Sequence, residues 1–210
     1  MASDAILRRV ATYYADKLAK HGVNARGVDW NGEASQIQRH RQFLRLFGDE
    51  RGASILDLGC GYGDFLRFMR EERYYGQYTG YDVAPEMIDA ARRLHGEADD
   101  RRWRVAAVPN ETADYAIASG VLNVKGNVSV TDWVDYVRET IDILSRAGLR
   151  GFAFNVLTSP SDPARRRQDL YYADPIEMLA WCLRRYGHSI ALLQDYGLWE
   201  FTILIRRPPA

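Results

Sequence analysis

Cysteine is scarce in this chain of 210 residues, which contains only Cys60 and Cys182. Neither belongs to a Cys-x-x-Cys pair, so the sequence offers no support for a zinc site, and we expect no metal. We also expect no disulfide between the two, because the chain has the character of a cytoplasmic protein.

Long apolar runs and an excess of charge of one sign are also missing. No window approaches 18 consecutive apolar residues, so we predict no transmembrane helix, and residues 1–10 lack the apolar core of a signal peptide. The 28 basic residues balance 28 acidic ones, which argues against bulk capture of nucleic acid or of an anionic membrane, although a local basic groove stays open. We expect a cytoplasmic monomer or homodimer without a nucleic-acid or membrane partner.

Strands and helices alternate through most of the chain, which predicts βαβ crossovers and a mostly parallel sheet. The predicted strands are 53–58, 77–83, 102–108, 113–121, 149–157, 189–196 and 200–207. The predicted helices between them are 64–72, 85–95, 130–147 and 175–187. The fold class is therefore α/β, with seven strands and helices on both faces.

The two ends of the chain depart from this alternation. Only residues 197–199 join the last two strands, and a parallel crossover needs a dozen residues or more, so this pair must be antiparallel. At the other end, apolar residues at helical spacing predict helices over 4–20 and 34–47. We expect residues 1–48 to form a helical cap across one end of the sheet and residues 49–210 to form the main globular unit.

The stretch ILDLGCGYGDF, residues 55–65, places three glycines at alternating positions directly after the first strand. Ligands of open α/β sheets bind at the carboxyl ends of strands, where glycine lets backbone N–H groups approach closely. A dinucleotide fingerprint would need a glycine at position 64, which is Asp64, and a carboxylate there would repel a pyrophosphate. The observed pattern, from Asp57 to Gly63, suits a zwitterionic amino-acid group better.

Asp82 ends the second predicted strand, 19 residues after Gly63. An acid at that position accepts hydrogen bonds from both hydroxyls of a ribose. A ribose together with an amino-acid group, and without a pyrophosphate, describes S-adenosylmethionine.

The segments ILDLGCGYGDF, YTGYDVAPEMIDAARR and ADYAIASGVLNV resemble the motifs of class I S-adenosylmethionine-dependent methyltransferases over roughly residues 50–207. The resemblance implies a Rossmann-like sheet of order 3-2-1-4-5-7-6 with the last strand antiparallel. It also implies S-adenosyl-L-methionine as cofactor and S-adenosyl-L-homocysteine as product. The cofactor-binding residues that it implies are Asp57, Gly59, Cys60, Gly61 and Gly63 for the methionine part, Asp82 for the ribose, Val83, Met87 and Val108 for adenine, and Ser119 and Gly120 beside the transferred methyl.

The chain departs from that family after the third strand. Many members carry an aspartate there for the adenine amino group, whereas this chain has RVAAVPNE, residues 104–111. The adenine contact would then come from the backbone near Ala107 and Val108, or from Asn110.

Three segments outside the glycine loop are candidate walls for the methyl acceptor: 27–43, 120–130 and 155–175. The third is long for a connection between a strand and a helix, and long ordered loops are often lids. Structural alternatives stay open for most of the candidate side chains. The aromatic residues could pack in the core, the arginines could be exposed to solvent, and the asparagine of the second segment could cap its loop. The candidates are Trp30, Arg39, Asn123, Asn155, Tyr171 and Tyr172, with Arg165, Arg166 and Arg167 as a basic run that would attract an anion.

Methyl transfer from a sulfonium needs positioning more than a nucleophile, so a general base is required only if the acceptor loses a proton. No catalytic residue is assigned, and His40 is the candidate base. Methyltransferases that act on exocyclic amines of nucleobases or on glutamine side chains usually carry Asn-Pro-Pro-aromatic after the fourth strand. This chain lacks it, so the resemblance implies that such acceptors are disfavoured. We expect methyl transfer to O or N of a small molecule. The alternatives are an RNA or protein methyltransferase with a basic surface, or a non-catalytic scaffold of the same fold.

Overall fold

The computed structural model describes residues 2–207, and the side chains of residues 4–207. Its seven strands form one sheet of order β3-β2-β1-β4-β5-β7-β6. The strands are β1 Ile55–Leu58, β2 Tyr78–Asp82, β3 Arg101–Val105, β4 Ala113–Ala118, β5 Gly148–Leu157, β6 Ile190–Leu193 and β7 Glu200–Arg206. The first five are parallel, and β7 is antiparallel to both of its neighbours. The predicted fold class and strand order are confirmed.

Six α-helices surround the sheet: α1 Ala2–His21, α2 Glu33–Phe47, α3 Asp64–Glu71, α4 Pro85–His95, α5 Val130–Ala147 and α6 Pro175–Tyr186. Short 3-10 helices occur at Ala25–Val28 and Pro163–Arg165. Several helices begin at residues that commonly cap or start a helix. The Ser129 hydroxyl caps α5, the Asp174 carboxylate caps α6, and Pro85 and Pro175 lie in the first turns of α4 and α6.

Alternate strand residues belong to two separate apolar cores. Leu56 and Leu58 pack in one core, together with α5, whereas Ile55 packs in the other, together with α3 and α4. Because successive strand residues point to opposite faces, the two cores lie on the two faces of the sheet.

The two N-terminal helices belong to different cores. Ile6 and Val10 of α1 lie in the core that contains α5, while Phe43 and Phe47 of α2 lie in the core that contains α3. The apolar residues of both helices are therefore part of the main cores. That the two helices lie across one end of the sheet stays a prediction. The division of the chain at residue 48 stays a prediction.

Three predicted strands end three residues earlier than expected: the third, the fourth and the sixth, which stops at Leu193. The first two of these differences matter for the site. The third strand stops at Val105 and the fourth at Ala118, so residues 106–108 and 119–121 leave the sheet at its carboxyl edge. Gly120 has φ of 78°, a left-handed conformation that cannot continue a strand.

Candidate functional site

A cavity opens at the carboxyl ends of β1, β2 and β4. It encloses about 1120 Å³ of empty space, including the part that is open to solvent. The predicted site residues that line it are Trp30, His40, Asp57, Gly59, Cys60, Gly61, Asp82, Val83, Met87, Val108, Ser119 and Gly120. The structure thus brings together residues from separate regions of the sequence.

The glycine loop between β1 and α3 has the backbone conformation that its sequence predicts. Gly59, Gly61 and Gly63 all have positive φ, between 55° and 83°. The Gly61 N–H donates to Asp82 Oδ2 at 2.9 Å, and the Ala84 N–H donates to Oδ1 of the same carboxylate at 2.9 Å. These two hydrogen bonds hold the Asp82 carboxylate beside the glycine loop. Asp82 also lines the cavity.

Gly63 differs from the other two loop glycines because it does not line the cavity. A Cβ at Gly63 would lie 2.4 Å from the Trp103 ring of β3 and 3.0 Å from His95. The space beside this glycine is therefore filled by the protein interior, and Gly63 lets α3 pack closely against β3. Its predicted contact with a cofactor stays a prediction.

Asp57 is a buried carboxylate with one oxygen free. The Tyr78 hydroxyl donates to Oδ2 at 2.6 Å, but Oδ1 has no hydrogen-bond partner within the described part of the chain. Burial raises the pKa of Asp57 to about 7 and that of Asp82 to about 6. The buried hydroxyl of Ser119 likewise lacks a partner among residues 4–207.

Unpartnered buried polar atoms are costly, so they point to a group that is supplied by a ligand. A cationic ammonium group beside Asp57 would lower the pKa of this carboxyl group again and donate a hydrogen bond to its free oxygen. A second polar atom of the ligand would form a hydrogen bond with the Ser119 hydroxyl. The residues present therefore fit the amino-acid end of S-adenosylmethionine.

The opposite part of the cavity is more apolar. Val83, Met87 and residues 106–108 line it, which is where the resemblance implies adenine. Asn110, the alternative adenine contact, accepts a hydrogen bond from the Tyr81 hydroxyl at 2.9 Å instead. This arrangement favours the contact through residues 106–108.

Trp30 forms a wall of the cavity, and Arg39, which does not line the cavity, packs against the Trp30 ring. Trp30 lies so close to Gly120 that a Cβ there would be 2.4 Å from its ring. The Arg39 guanidinium stacks on the Trp30 ring, 3.9 Å from the centroid, and its Nε donates to the Glu200 carboxylate at 2.7 Å. The alternative of a solvated helix arginine is wrong, because only 6% of Arg39 is exposed.

Asn155 is buried behind this wall. Its amide oxygen accepts a hydrogen bond from the Gly120 N–H at 2.7 Å, and its amide nitrogen donates to Glu200 at 3.3 Å. Sequence reasoning missed Glu200, because a lone glutamate at the start of a strand carries no local signal of a buried role.

His40 lines the cavity next to Asp64. Its Nε2 lies 3.2 Å from Asp64 Oδ2, while Nδ1 has no partner among the described side chains and backbone. The Arg67 Nε donates to Asp64 Oδ1 at 2.9 Å. Burial lowers the pKa of His40, which favours the neutral imidazole, and a neutral ring that donates from Nε2 has an acceptor at Nδ1.

Other candidates lie away from the cavity. The Asn123 amide oxygen accepts from the Leu157 N–H at 3.1 Å, which is the loop-capping role. Tyr171 packs against the core beside α5, and the Tyr172 hydroxyl accepts from the Arg167 N–H. Arg165 pairs with Asp162, and Arg167 pairs with Asp169 and Asp29.

The cavity also has a wall that sequence reasoning did not find. Leu7, Val10 and Tyr14 of α1 line it, together with Tyr136 and Thr140 of α5. The residues of α1 recur at three- and four-residue spacing, which predicts one buried face but not which surface that face covers.

Two features are missing from the described residues, 2–207. No helix there is both long and apolar enough to cross a membrane. Within the same range, no three His, Cys, Asp or Glu residues are grouped so that they could hold a metal ion.

Comparisons with known sequences identify relatives of most of the chain. A family described as "Methyltransferase domain" matches residues 32–198. The Mycobacterium tuberculosis H37Rv protein named "Putative methyltransferase Rv1506c" is 48% identical over 165 residues, covering 78% of this chain and 99% of that protein. The trans-aconitate 2-methyltransferase of Streptomyces coelicolor is 30% identical over 94 residues, which cover 39% of this chain and 30% of that enzyme.

Solved structures share the fold at low sequence identity. Magnesium protoporphyrin IX methyltransferase from Synechocystis with bound SAM has a TM-score of 0.65 at 14% identity, covering 99% of this chain and 98% of that one. The N-methyltransferase NodS from Bradyrhizobium japonicum with S-adenosylhomocysteine has a TM-score of 0.64 at 19% identity, covering 95% of this chain and 98% of that one. The DhpI–SAH complex has a TM-score of 0.63 at 16% identity and covers 98% of both chains.

Proposed function

The chain belongs to the class I S-adenosylmethionine-dependent methyltransferases, and we propose that it methylates an O or N atom of a small-molecule acceptor. The observation that carries the proposal is the cavity over the strand ends, which Trp30 and α1 cover. A covered cavity suits a compact acceptor better than a polymer chain.

We assign the cofactor to the residues that line the cavity. Asp57 and Ser119 would hold the amino-acid end, Asp82 would accept from the ribose hydroxyls, and Val83 and Met87 would pack against adenine. The bound cofactor supplies a methyl group on a positively charged sulfur. The carboxylates of Asp57 and Asp82 favour that cationic ligand, and the Trp30 wall excludes water from the reacting atoms.

His40 is the proposed proton acceptor where the methyl acceptor must lose a proton. Asp64 orients the imidazole through Nε2, and Nδ1 keeps a free lone pair for a proton. The lowered pKa of His40 keeps the ring neutral near pH 7, as a general base requires.

A rival function is methylation of RNA or protein, which requires a continuous basic surface around the cavity. Arg39 is buried against Glu200, and Arg165 and Arg167 are paired with aspartates. Arg39 is thereby withdrawn from the surface, and the charge of Arg167 is compensated, which supports the small-molecule acceptor.

The proposal is tested by incubating the protein with methyl-labelled S-adenosylmethionine and, in separate reactions, a metabolite extract, purified RNA and purified cell proteins, then locating the label. We expect label in a low-molecular-weight product, and none with the Asp82→Ala variant. Label recovered in RNA or protein would contradict the proposal.

A further inference from the structure

One buried carboxylate joins three elements behind the cavity. Glu200, at the start of β7, is fully buried. Its Oε2 accepts from Arg39 Nε of α2 at 2.7 Å, and its Oε1 accepts from Asn155 Nδ2 of β5 and from the Tyr196 hydroxyl, both at 3.3 Å. Every oxygen of this carboxylate therefore has a donor.

The two branches of this network end at neighbouring points of the cavity wall. Along one branch, Arg39 stacks on the ring of Trp30. Along the other, Asn155 accepts the hydrogen bond of the Gly120 N–H. Trp30 and Gly120 both line the cavity, and they are in such close contact that no side chain fits between them.

We propose that Glu200 is a positioning residue that sets the place of Trp30 and of the Ser119–Gly120 turn against the methionine end of the cofactor. The inference rests on the proposed function, since it concerns the same cavity. Glu200 acts through Arg39 and Asn155 and touches no reacting atom.

The network fixes the positions of Trp30 and of the Ser119–Gly120 turn more than it raises the free energy of unfolding. A buried ion pair is often no more stabilising than packed apolar residues, but removing one partner leaves the other charge uncompensated. Without Glu200, the Arg39 guanidinium would move toward water and leave the Trp30 ring. The Asn155 amide would lose the acceptor that fixes its orientation, and with it the fixed acceptor for the Gly120 N–H. Burial raises the pKa of Glu200, an effect that the Arg39 guanidinium opposes.

The test is the Glu200→Gln variant of the full chain, with S-adenosylhomocysteine as the probe. We expect its dissociation constant, measured by calorimetry, to rise about tenfold, within the usual range of coupling between sites. The matched control is Ile203→Val on the same strand, a fully buried side chain of the apolar core that contains α5. This control is expected to lower the melting temperature and leave the affinity within about twofold of wild type.

A second measurement separates positioning from a structural role. In a Trp30→Phe background, Glu200→Gln should weaken binding by clearly less than in wild type, because one branch of the network is already broken. The fluorescence of Trp30, obtained as the difference between chains with and without the Trp30→Phe substitution, should also change when Glu200 is replaced.

A third variant keeps the proposal testable if Glu200→Gln does not fold. The double variant Arg39→Met with Glu200→Met replaces the ion pair by apolar side chains, which buried sites often tolerate, and we expect the same loss of affinity. Wild-type affinity in any folded Glu200 variant would overturn the inference. Absence of binding to the wild-type chain would instead contradict the proposed function.

Discussion

Two segments of this chain, 25–40 and 158–174, each combine aromatic side chains with arginines beside turns. The first contains Trp30 and two arginines, and the second contains two tyrosines and three arginines. In the first, Trp30, Gln36 and His40 line the cavity. In the second, the tyrosines pack against the core or accept a backbone hydrogen bond, and Arg167 contacts Asp29 on the outside of the first segment. The amino-acid composition therefore identifies segments that could line the cavity. The position of a segment relative to the strand ends decides whether it does.

The largest expected effect tests the premise of this comparison, namely that the cofactor lies beneath the first segment. Asp82→Ala should abolish detectable binding of S-adenosylhomocysteine in calorimetry, because it removes the ribose acceptor and the partner of the Gly61 N–H. The control is Asp195→Ala, an exposed aspartate, which should bind as wild type does. Unchanged binding by Asp82→Ala would remove the ribose assignment.

The second effect concerns protons at the floor of the cavity. The pKa of Asp57 is raised from 3.8 to about 7, so the folded chain binds this proton more tightly than the unfolded chain does. Stability of the cofactor-free protein should fall as pH rises from about 4 to 7, and Asp57→Asn should remove that part of the loss. We expect the variant to melt a few degrees above wild type at pH 8, where about 1 kcal/mol shifts the midpoint by 2–4 °C.

The same carboxylate should link cofactor affinity to pH in the opposite sense. A cationic ligand favours ionised Asp57, so the wild-type dissociation constant of S-adenosylhomocysteine should fall by up to about tenfold per pH unit between pH 6 and 7. Asp57→Asn should bind weakly with a shallower pH dependence, checked by calorimetry over pH 5.5–8. A slope in the variant as steep as that of wild type would place the linked proton elsewhere.

The third effect compares the two segments directly. Trp30→Ala should weaken S-adenosylhomocysteine binding by about tenfold, because burial of one aromatic face contributes on the order of 1–3 kcal/mol. Tyr172→Ala, in the second segment, should leave the affinity within about twofold of wild type. Equal losses for the two variants would mean that the loop closes on the cofactor in solution and that the comparison is incorrect.

The smallest effect concerns the contact between the segments. Arg167→Ala removes ion pairs with Asp29 and Asp169 and should lower the free energy of unfolding by less than about 1 kcal/mol, because these groups are partly solvent-exposed. Arg165→Ala, which loses only a pair within its own turn, should be closer to neutral. Urea unfolding of both variants in low and high salt checks the order, and a larger loss for Arg165→Ala would contradict it.

Much of the site was accessible from the sequence because its signals are local. A glycine pattern directly after an apolar strand predicted the positive φ angles of Gly59 and Gly61, and one acid at the next strand end predicted the place of Asp82. Gly63 also has a positive φ but does not line the cavity. Its neighbour Trp103 comes from a strand about 40 residues away, so no local pattern could distinguish its packing role.

The sequence by itself determined the alternation of strands and helices, the antiparallel end of the sheet and the glycine loop at the floor of the cavity. Hydrophobic periodicity and the freedom of glycine to adopt a positive φ depend only on residues that are close together in the chain. Tertiary structure alone decided which other residues surround the cavity. It placed α1 and α2 in different cores, and it brought Arg39, Asn155 and Glu200 into contact. Those three residues are up to 161 positions apart, and no short-range rule connects them. They meet because the start of β7 pairs with the carboxyl end of β5 and α2 packs beside them. A charge buried there is stable only beside its partner.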